Sequence, residues 1–275
     1  MTAGLAIENP AYFDRLAEVE VSHWWSRGMW RLAAHWLKRA LRSKTGLEAL
    51  DIGCGTGFTM LRLQRLPEIR SVVGLDPSVE ALEHARQRHD MPLYCGSALS
   101  LPFEDESFDV VTCFDVLQHL PEAHDSQAVA EMRRVLRPGG VALIRSNARA
   151  PWAKPSTTTP CYRLDDLVAL FQQGGFEVQR ASNANCLPAL GQEVVGRLPR
   201  ISRARQSHPA GGGLRIRLPH PWVNRIMGLV SASEALIAGA WGVPLPFGHS
   251  TMLLAQRHPE TWQTSGKGNA SERRG

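Results

Sequence analysis

Cysteine is scarce and unpaired in this sequence: Cys54, Cys95, Cys113, Cys161 and Cys186 are odd in number, scattered, and form no C-x-x-C pair. That usage speaks against a disulfide framework and a thiolate zinc site, and it suits reduced thiols in a cytoplasm. Long apolar runs are also missing. The nearest, Ile226 to Phe247, is broken by Glu234, two serines, several glycines and two prolines, so it reads poorly as a spanning helix. The opening stretch has no basic leader region and no apolar segment of signal length, and Glu8, Asp14, Glu18 and Glu20 interrupt it. The expectation is a cytoplasmic protein without a metal, and peripheral membrane contact stays compatible with the sequence.

Nothing in the composition is biased toward fibre or disorder. With 43% hydrophobic and 21% charged residues, the 275-residue chain has enough apolar surface for a full core. The net charge of +5 is unevenly spread. Arg197, Arg200, Arg203, Arg205, Arg215 and Arg217 fall in one stretch with no acid among them, so the rest of the chain sums to −1. Any steering of an anion would come from this segment. No recognisable nucleic-acid-binding module accompanies it, which argues against a specific nucleic-acid partner.

Residues 10–42 read as a helix or helix pair, with Trp25, Leu32 and Trp36 on one face and Trp30, Ala34 and Leu37 on the adjoining one. Trp24, Trp25, Trp30 and Trp36 crowd into thirteen residues, as core packing or as an aromatic wall over a pocket. After Gly46 the pattern changes to short apolar runs alternating with helical stretches, the signature of βαβ units and a parallel sheet. Strands are predicted at 47–52, 71–76, 93–96, 108–114, 141–146, 176–181 and 249–257, and helices at 59–66, 79–88, 126–136 and 164–173. Pro138-Gly139-Gly140 is expected to end the third of these helices.

The first strand runs into Asp51-Ile52-Gly53-Cys54-Gly55-Thr56-Gly57, a turn whose glycines let a ligand approach backbone N–H groups. The third glycine follows the second by two residues, where a dinucleotide fingerprint needs three. A carboxylate two residues before the first glycine would repel a pyrophosphate. The pocket therefore wants a cation, and an oxidoreductase using NAD is the weaker alternative. At the end of the second strand Asp76, nineteen residues after Gly57, stands where an acid bonds the hydroxyls of a ribose. Its other role would be a helix cap, for which Ser78 is the simpler choice.

LDIGCGTG, GLDPS, SALSLPFEDESFDVV, FDVLQHL and LRPGG, in this order, resemble the class I S-adenosylmethionine-dependent methyltransferases, notably the type 11 domain of the ubiquinone and menaquinone enzymes. The resemblance covers about residues 46–147. It implies a Rossmann-like α/β fold with a seven-stranded sheet, six strands parallel and the last antiparallel, with helices on both faces. It also implies S-adenosylmethionine as cofactor, with Asp51, Gly53, Cys54, Gly55 and Gly57 around its methionine part. Asp76 and Pro77 would meet the ribose, Ser97, Ala98 and Leu99 the adenine, and Phe114 and Asp115 the cofactor-facing end of strand four. Family members usually carry an acid where Ser97 stands, so the adenine contact here would be weaker.

The organisation expected is an N-terminal helical cap at 1–45, a cofactor-binding core at 46–186, a helical insertion at 187–248 between strands six and seven, the last strand at 249–258 and a disordered tail at 259–275. The insertion would emerge beside the cofactor and select a small-molecule acceptor. Ile226, Leu229, Val230, Ser233, Leu236, Ile237 and Ala240 form a helix-period stripe expected to pack inward, with Pro244 ending the helix. Methyl transfer needs alignment more than a base. His119 is the first candidate base, followed by Asp115 and His23, and Glu234 is a candidate substrate contact. A non-catalytic cofactor-binding subunit is the other alternative.

Overall fold

The computed structural model describes residues 10–121, 123–149, 161–196 and 218–258. The basic stretch from Arg197 to Arg217 and the tail at 259–275 lie outside them. The chain opens with helices α1 (Pro10–Val19) and α2 (Trp24–Ala40). An alternating region follows: β1 (Leu47–Ile52), α3 (Phe58–Leu63), β2 (Ile69–Asp76), α4 (Val79–Arg86), β3 (Leu93–Cys95), β4 (Phe108–Phe114), α5 (Asp125–Val135) and β5 (Leu136–Asn147). It closes with α6 (Leu164–Gln173), β6 (Phe176–Ala184), α7 (Cys186–Gly196), α8 (Pro221–Ala235) and β7 (Ser250–Arg257).

The seven strands form one sheet in the order β3-β2-β1-β4-β5-β7-β6. β7 pairs antiparallel with both β5 and β6, and every other pairing is parallel, as the resemblance implies. Strand order reverses between β1 and β4, which opens a crevice at their carboxyl ends. Alternate residues of each strand serve opposite layers. Ala49, Val110, Val141 and Leu143 pack with α2 on one face, whereas Leu50, Val111, Ala142 and Ile144 pack with α5 and α6 on the other.

Three sequence expectations need correction here. Pro138-Gly139-Gly140 does not separate a helix from a later strand, because β5 already begins at Leu136. Leu136 pairs with Phe108 and Val141 with Val110, so the glycines make an irregularity inside the pairing. β6 runs three residues further than its apolar pattern, since Ser182, Asn183 and Ala184 still pair with β7. The third correction concerns α8. Its predicted inward stripe faces outward: Leu229 is 67% exposed and Ile226 47%, while Ser231, Glu234, Ala235 and Ala238 are buried.

Close packing on α2 explains that inversion. A Cβ on Gly28 would lie 2.7 Å from the Cβ of Ser231, so the helices touch through small residues. Trp36 Nε1 donates to Ala238 O at 3.1 Å, and Asn224 Oδ1 accepts from Trp24 N at 2.9 Å. The larger apolar side chains of α8 would not fit this seam. The helix continues through a π-turn, Leu236–Ala240, and Gly242 at φ 72° follows, so it has ended before Pro244.

Candidate functional site

β1 delivers its last residues to the crevice, and the chain turns sharply. Gly53 and Cys54 both donate to Leu75 O of β2, at 2.7 and 3.1 Å. Gly53 has φ 70°, and a Cβ there would overlap Val116 Cγ2. No other residue type fits without strain. We therefore expect Gly53→Ala to weaken cofactor binding at least about tenfold, since the left-handed backbone alone costs about 1–2 kcal/mol. An unchanged dissociation constant in a calorimetric titration would count against it.

Two buried carboxylates flank this turn. Asp76 Oδ2 accepts from Gly55 N and Oδ1 from Ser78 N, both at 2.9 Å. Asp76 thus pins the glycine turn to the end of β2, while Ser78 caps α4 through Ala81 N at 3.2 Å. Each carboxylate oxygen keeps a second lone pair for a ligand hydroxyl. Burial raises the Asp76 pKa, against the lowering by those two N–H bonds.

Asp51 is more unusual. Thr112 Oγ1 donates to its Oδ1 at 2.6 Å, but Oδ2 is buried with no hydrogen-bond partner among the described residues. Burial, with a smaller push from Asp76, drives its pKa up to about 7 despite Thr112 and Arg145. An orphaned acceptor of this kind fits a ligand ammonium, held directly or through water. A charge-assisted bond there is worth roughly 1.5–3 kcal/mol.

Asp115 follows β4 at φ 59°. Its carboxylate receives Arg145 Nε at 3.2 Å on both oxygens and Arg145 Nη2 on Oδ2. The guanidinium lies between two rings, 4.5 Å from the centroid of Trp25 and 4.7 Å from that of Phe114. Strands β4 and β5 and the N-terminal cap therefore meet at one cation. Gln118 ties the next turn down, its Oε1 accepting from Ser146 Oγ and Asn147 N at 2.8 Å each.

A roof over the glycine turn comes from α1. Glu20, just past its end, is buried and accepts from Thr56 Oγ1 and from Arg88. Arg88 also donates to Thr56 O at 3.1 Å and to Ala17 O. Tyr12 of α1 feels both Asp115 and Glu20, and its hydroxyl pKa is pushed up by burial first and by those charges second. Breaking a buried ion pair on one side costs roughly 3–5 kcal/mol. Arg88→Ala is expected to lower unfolding stability by about 3 kcal/mol and to loosen α1, measured by urea titration and by proteolysis near residue 20.

The remaining sequence candidates divide clearly. Cys54 is buried and its thiol pKa is raised, chiefly by burial, so it is an inert lining group. Ser97 is exposed and its Oγ accepts from Leu99 N at 3.2 Å, closing its own turn. Ala98 is buried, Pro77 exposed, and Phe114 stacks on Arg145. His119 is exposed at the end of the 3-10 turn Leu117–His119. His23 caps α2, its Nδ1 accepting from Trp25 N at 3.2 Å. Glu234 is corrected from a substrate contact to a cap for α7, accepting from Cys186 N at 3.2 Å and Leu187 N at 2.9 Å.

Sequence reasoning missed Glu20, Arg88, Thr112, Gln118 and Arg145. Only Arg145 left a signal, a cation directly after the apolar run Val141–Ile144 of β5.

Residues 50–144 match the family model described as a methyltransferase domain. A demethylmenaquinone methyltransferase of Staphylococcus aureus is 36% identical over 116 residues, 39% of this chain and 47% of that protein. The chain spans about half the length of the curated relatives it matches, or less. Among solved structures, a Haemonchus contortus phosphoethanolamine N-methyltransferase with bound S-adenosylhomocysteine superposes at TM-score 0.59 with 20% identity, covering 93% of this chain and 58% of that one. The [4+2]-cyclase SpnF superposes at 0.53 with 20% identity, covering 83% and 79%. These likenesses establish the fold.

Proposed function

We infer the function from the match of residues 50–144 to a methyltransferase domain, a stretch in which the chain resembles the class I S-adenosylmethionine-dependent methyltransferases. We propose that the protein transfers a methyl group from S-adenosylmethionine to a small-molecule acceptor. The observation that carries this reading is the pair of buried acids at the glycine turn, one with an oxygen that lacks a partner. When bound, S-adenosylmethionine supplies an electrophilic methyl on a positively charged sulfur.

The residues here would act mainly by holding and aligning. Asp51 would take the ammonium on Oδ2. Asp76 would accept the ribose hydroxyls with the lone pairs that Gly55 and Ser78 leave free. Gly53, Gly55 and Gly57 would let the ligand lie against the backbone, with Ser97, Ala98 and Leu99 flanking the adenine. Alignment within an enclosed site can supply on the order of 7–11 kcal/mol of the barrier. Asp115 would serve as the holder of Arg145, because both of its carboxylate oxygens are already engaged by that guanidinium. His119 remains the candidate base for an acceptor that must lose a proton.

The acceptor side lies outside the matched residues, in β6, β7 and the helices between them. The relationship to demethylmenaquinone methyltransferases is compatible with an isoprenoid quinone, among other acceptors. Because a cyclase shares the fold, turnover has to be measured directly. Calorimetry should register S-adenosylmethionine and S-adenosylhomocysteine, with binding lost in Asp76→Ala. Heat with NAD and none with either adenosyl ligand would overturn the proposal. A metabolite extract incubated with methyl-deuterated cofactor would then name the acceptor.

Affinity should depend on pH. Asp51 has to be ionised to hold an ammonium, so its proton must leave as the ligand binds. Affinity is expected to rise between about pH 6 and 8 and level off above that. A flat profile over this range would show that Asp51 does not carry the contact.

A further inference from the structure

Arg145 is a nearly buried cation with donors to spare. Its side chain is only 12% exposed, clamped between the rings of Trp25 and Phe114, and Asp115 takes Nε and Nη2 along one edge. A guanidinium carries five N–H groups, two of them on Nη1. Nη1 has no acceptor among the described residues, and unlike Asp51 Oδ2 it is not sealed from solvent. That pair of N–H groups is open to a ligand.

The register of the sheet relates this edge to the glycine turn. Asp51 pairs with Thr112 of β4, Thr112 pairs with Leu143 of β5, and Arg145 stands two residues beyond Leu143. Residues two apart share a face, so Asp51, Thr112 and Arg145 all lie on the face that α2 covers. With the ribose at Asp76 of β2 and the ammonium at Asp51 of β1, as proposed, the edge continues through β4 and β5 to β7 and β6, the acceptor side. Arg145 stands at the border. Two rings and a carboxylate have fixed its guanidinium in advance, so little further ordering opposes a bond from Nη1. Planar charged N–H donors suit an oxygen anion.

We propose that Nη1 of Arg145 binds an anionic oxygen of the methyl acceptor, a carboxylate or an ionised hydroxyl. The inference rests on the placement of the cofactor given above. It makes Arg145 the residue that selects acceptors by charge, with Asp115, Trp25 and Phe114 as its mount. The competing anion is the cofactor's own carboxylate, next to the ammonium at Asp51.

The test titrates benzoate and its uncharged counterpart benzamide into protein saturated with S-adenosylhomocysteine, followed by ligand-observed NMR. We expect benzoate to bind at least about tenfold more tightly than benzamide. Arg145→Gln should bring that ratio close to one, whereas Arg145→Lys, which keeps the charge but loses the fork, should keep part of it. A site that was merely distorted would weaken both probes alike and leave the ratio standing. Should Arg145→Gln not fold, the ratio in Arg145→Lys decides, and there it must fall at least about threefold. A parent that does not distinguish the probes would overturn the proposal, as would a ratio that the variants leave unchanged. So would a loss of about tenfold or more in S-adenosylhomocysteine affinity in Arg145→Lys, which would assign Arg145 to the cofactor carboxylate. Failure of the parent to bind S-adenosylhomocysteine falls on the cofactor reading instead, and the probe ratio measured without that ligand still decides whether Arg145 holds an anion.

Discussion

Asp51→Asn will lower S-adenosylmethionine affinity about a hundredfold and, in the same molecule, make the ligand-free fold more stable at pH 8. The two effects share one cause. Asp51 is buried, with one oxygen bonded to Thr112 and the other orphaned, and its pKa rises from 3.8 to about 7. A folded-state pKa above the unfolded one means that the folded protein binds the proton more tightly. The stability this proton provides is complete below the unfolded value and is lost as pH climbs through the folded one. For the rise seen here the loss is on the order of 4 kcal/mol by pH 8. Asparagine keeps an oxygen for Thr112 and removes the buried charge. Thermal unfolding of both proteins at pH 5 and pH 8, without ligand, should show the parent losing ground at the higher pH and the variant holding it. Equal pH sensitivity in both would mean that Asp51 is not the titrating group, whatever the calorimetry gave.

Gly248→Ala will be among the most destabilising single changes in the protein, at about 3 kcal/mol or more. A Cβ at this position would lie 2.7 Å from the carbonyl carbon of Ala184 and closer still to its oxygen. The obstacle is backbone at the end of β6, which cannot rotate away as a side chain could. For a chain of this size the melting temperature should drop by roughly 6–12 °C. Gly191 in α7 is the matched control, since a Cβ there meets nothing within 4 Å. Gly191→Ala should be neutral, or stabilising by up to about 1 kcal/mol. Similar losses at both positions would refute the packing argument.

The middle of the sheet was legible because β1, β4, β5 and β7 are buried over most of their length and so carry short apolar runs. Leu47–Ile52 and Phe108–Phe114 appear with the bounds their residues suggest. The glycine turn and the two acids beside it were legible as well, because a left-handed turn at the end of a strand calls for glycines at short spacing. Long-range polar contacts were not. Nothing local to Glu20 announces that it meets Thr56 and Arg88, and nothing local to Glu234 announces a cap for a helix that begins 48 positions earlier. Periodicity misread α8 for a related reason. Apolar spacing reveals that a helix has two faces, but which one turns inward depends on the seam offered by its neighbour. Here Gly28 and Ser231 set that seam.

The clasp of Arg88 on Ala17 and Glu20 bears on the order in which the protein is assembled and opened. None of the seven strands comes from the first forty-six residues. A molecule clipped after Glu20 would keep its sheet and both carboxylates but leave the glycine turn bare to water. Cofactor would then arrive and depart faster, as through a room that has lost its ceiling while its walls still stand.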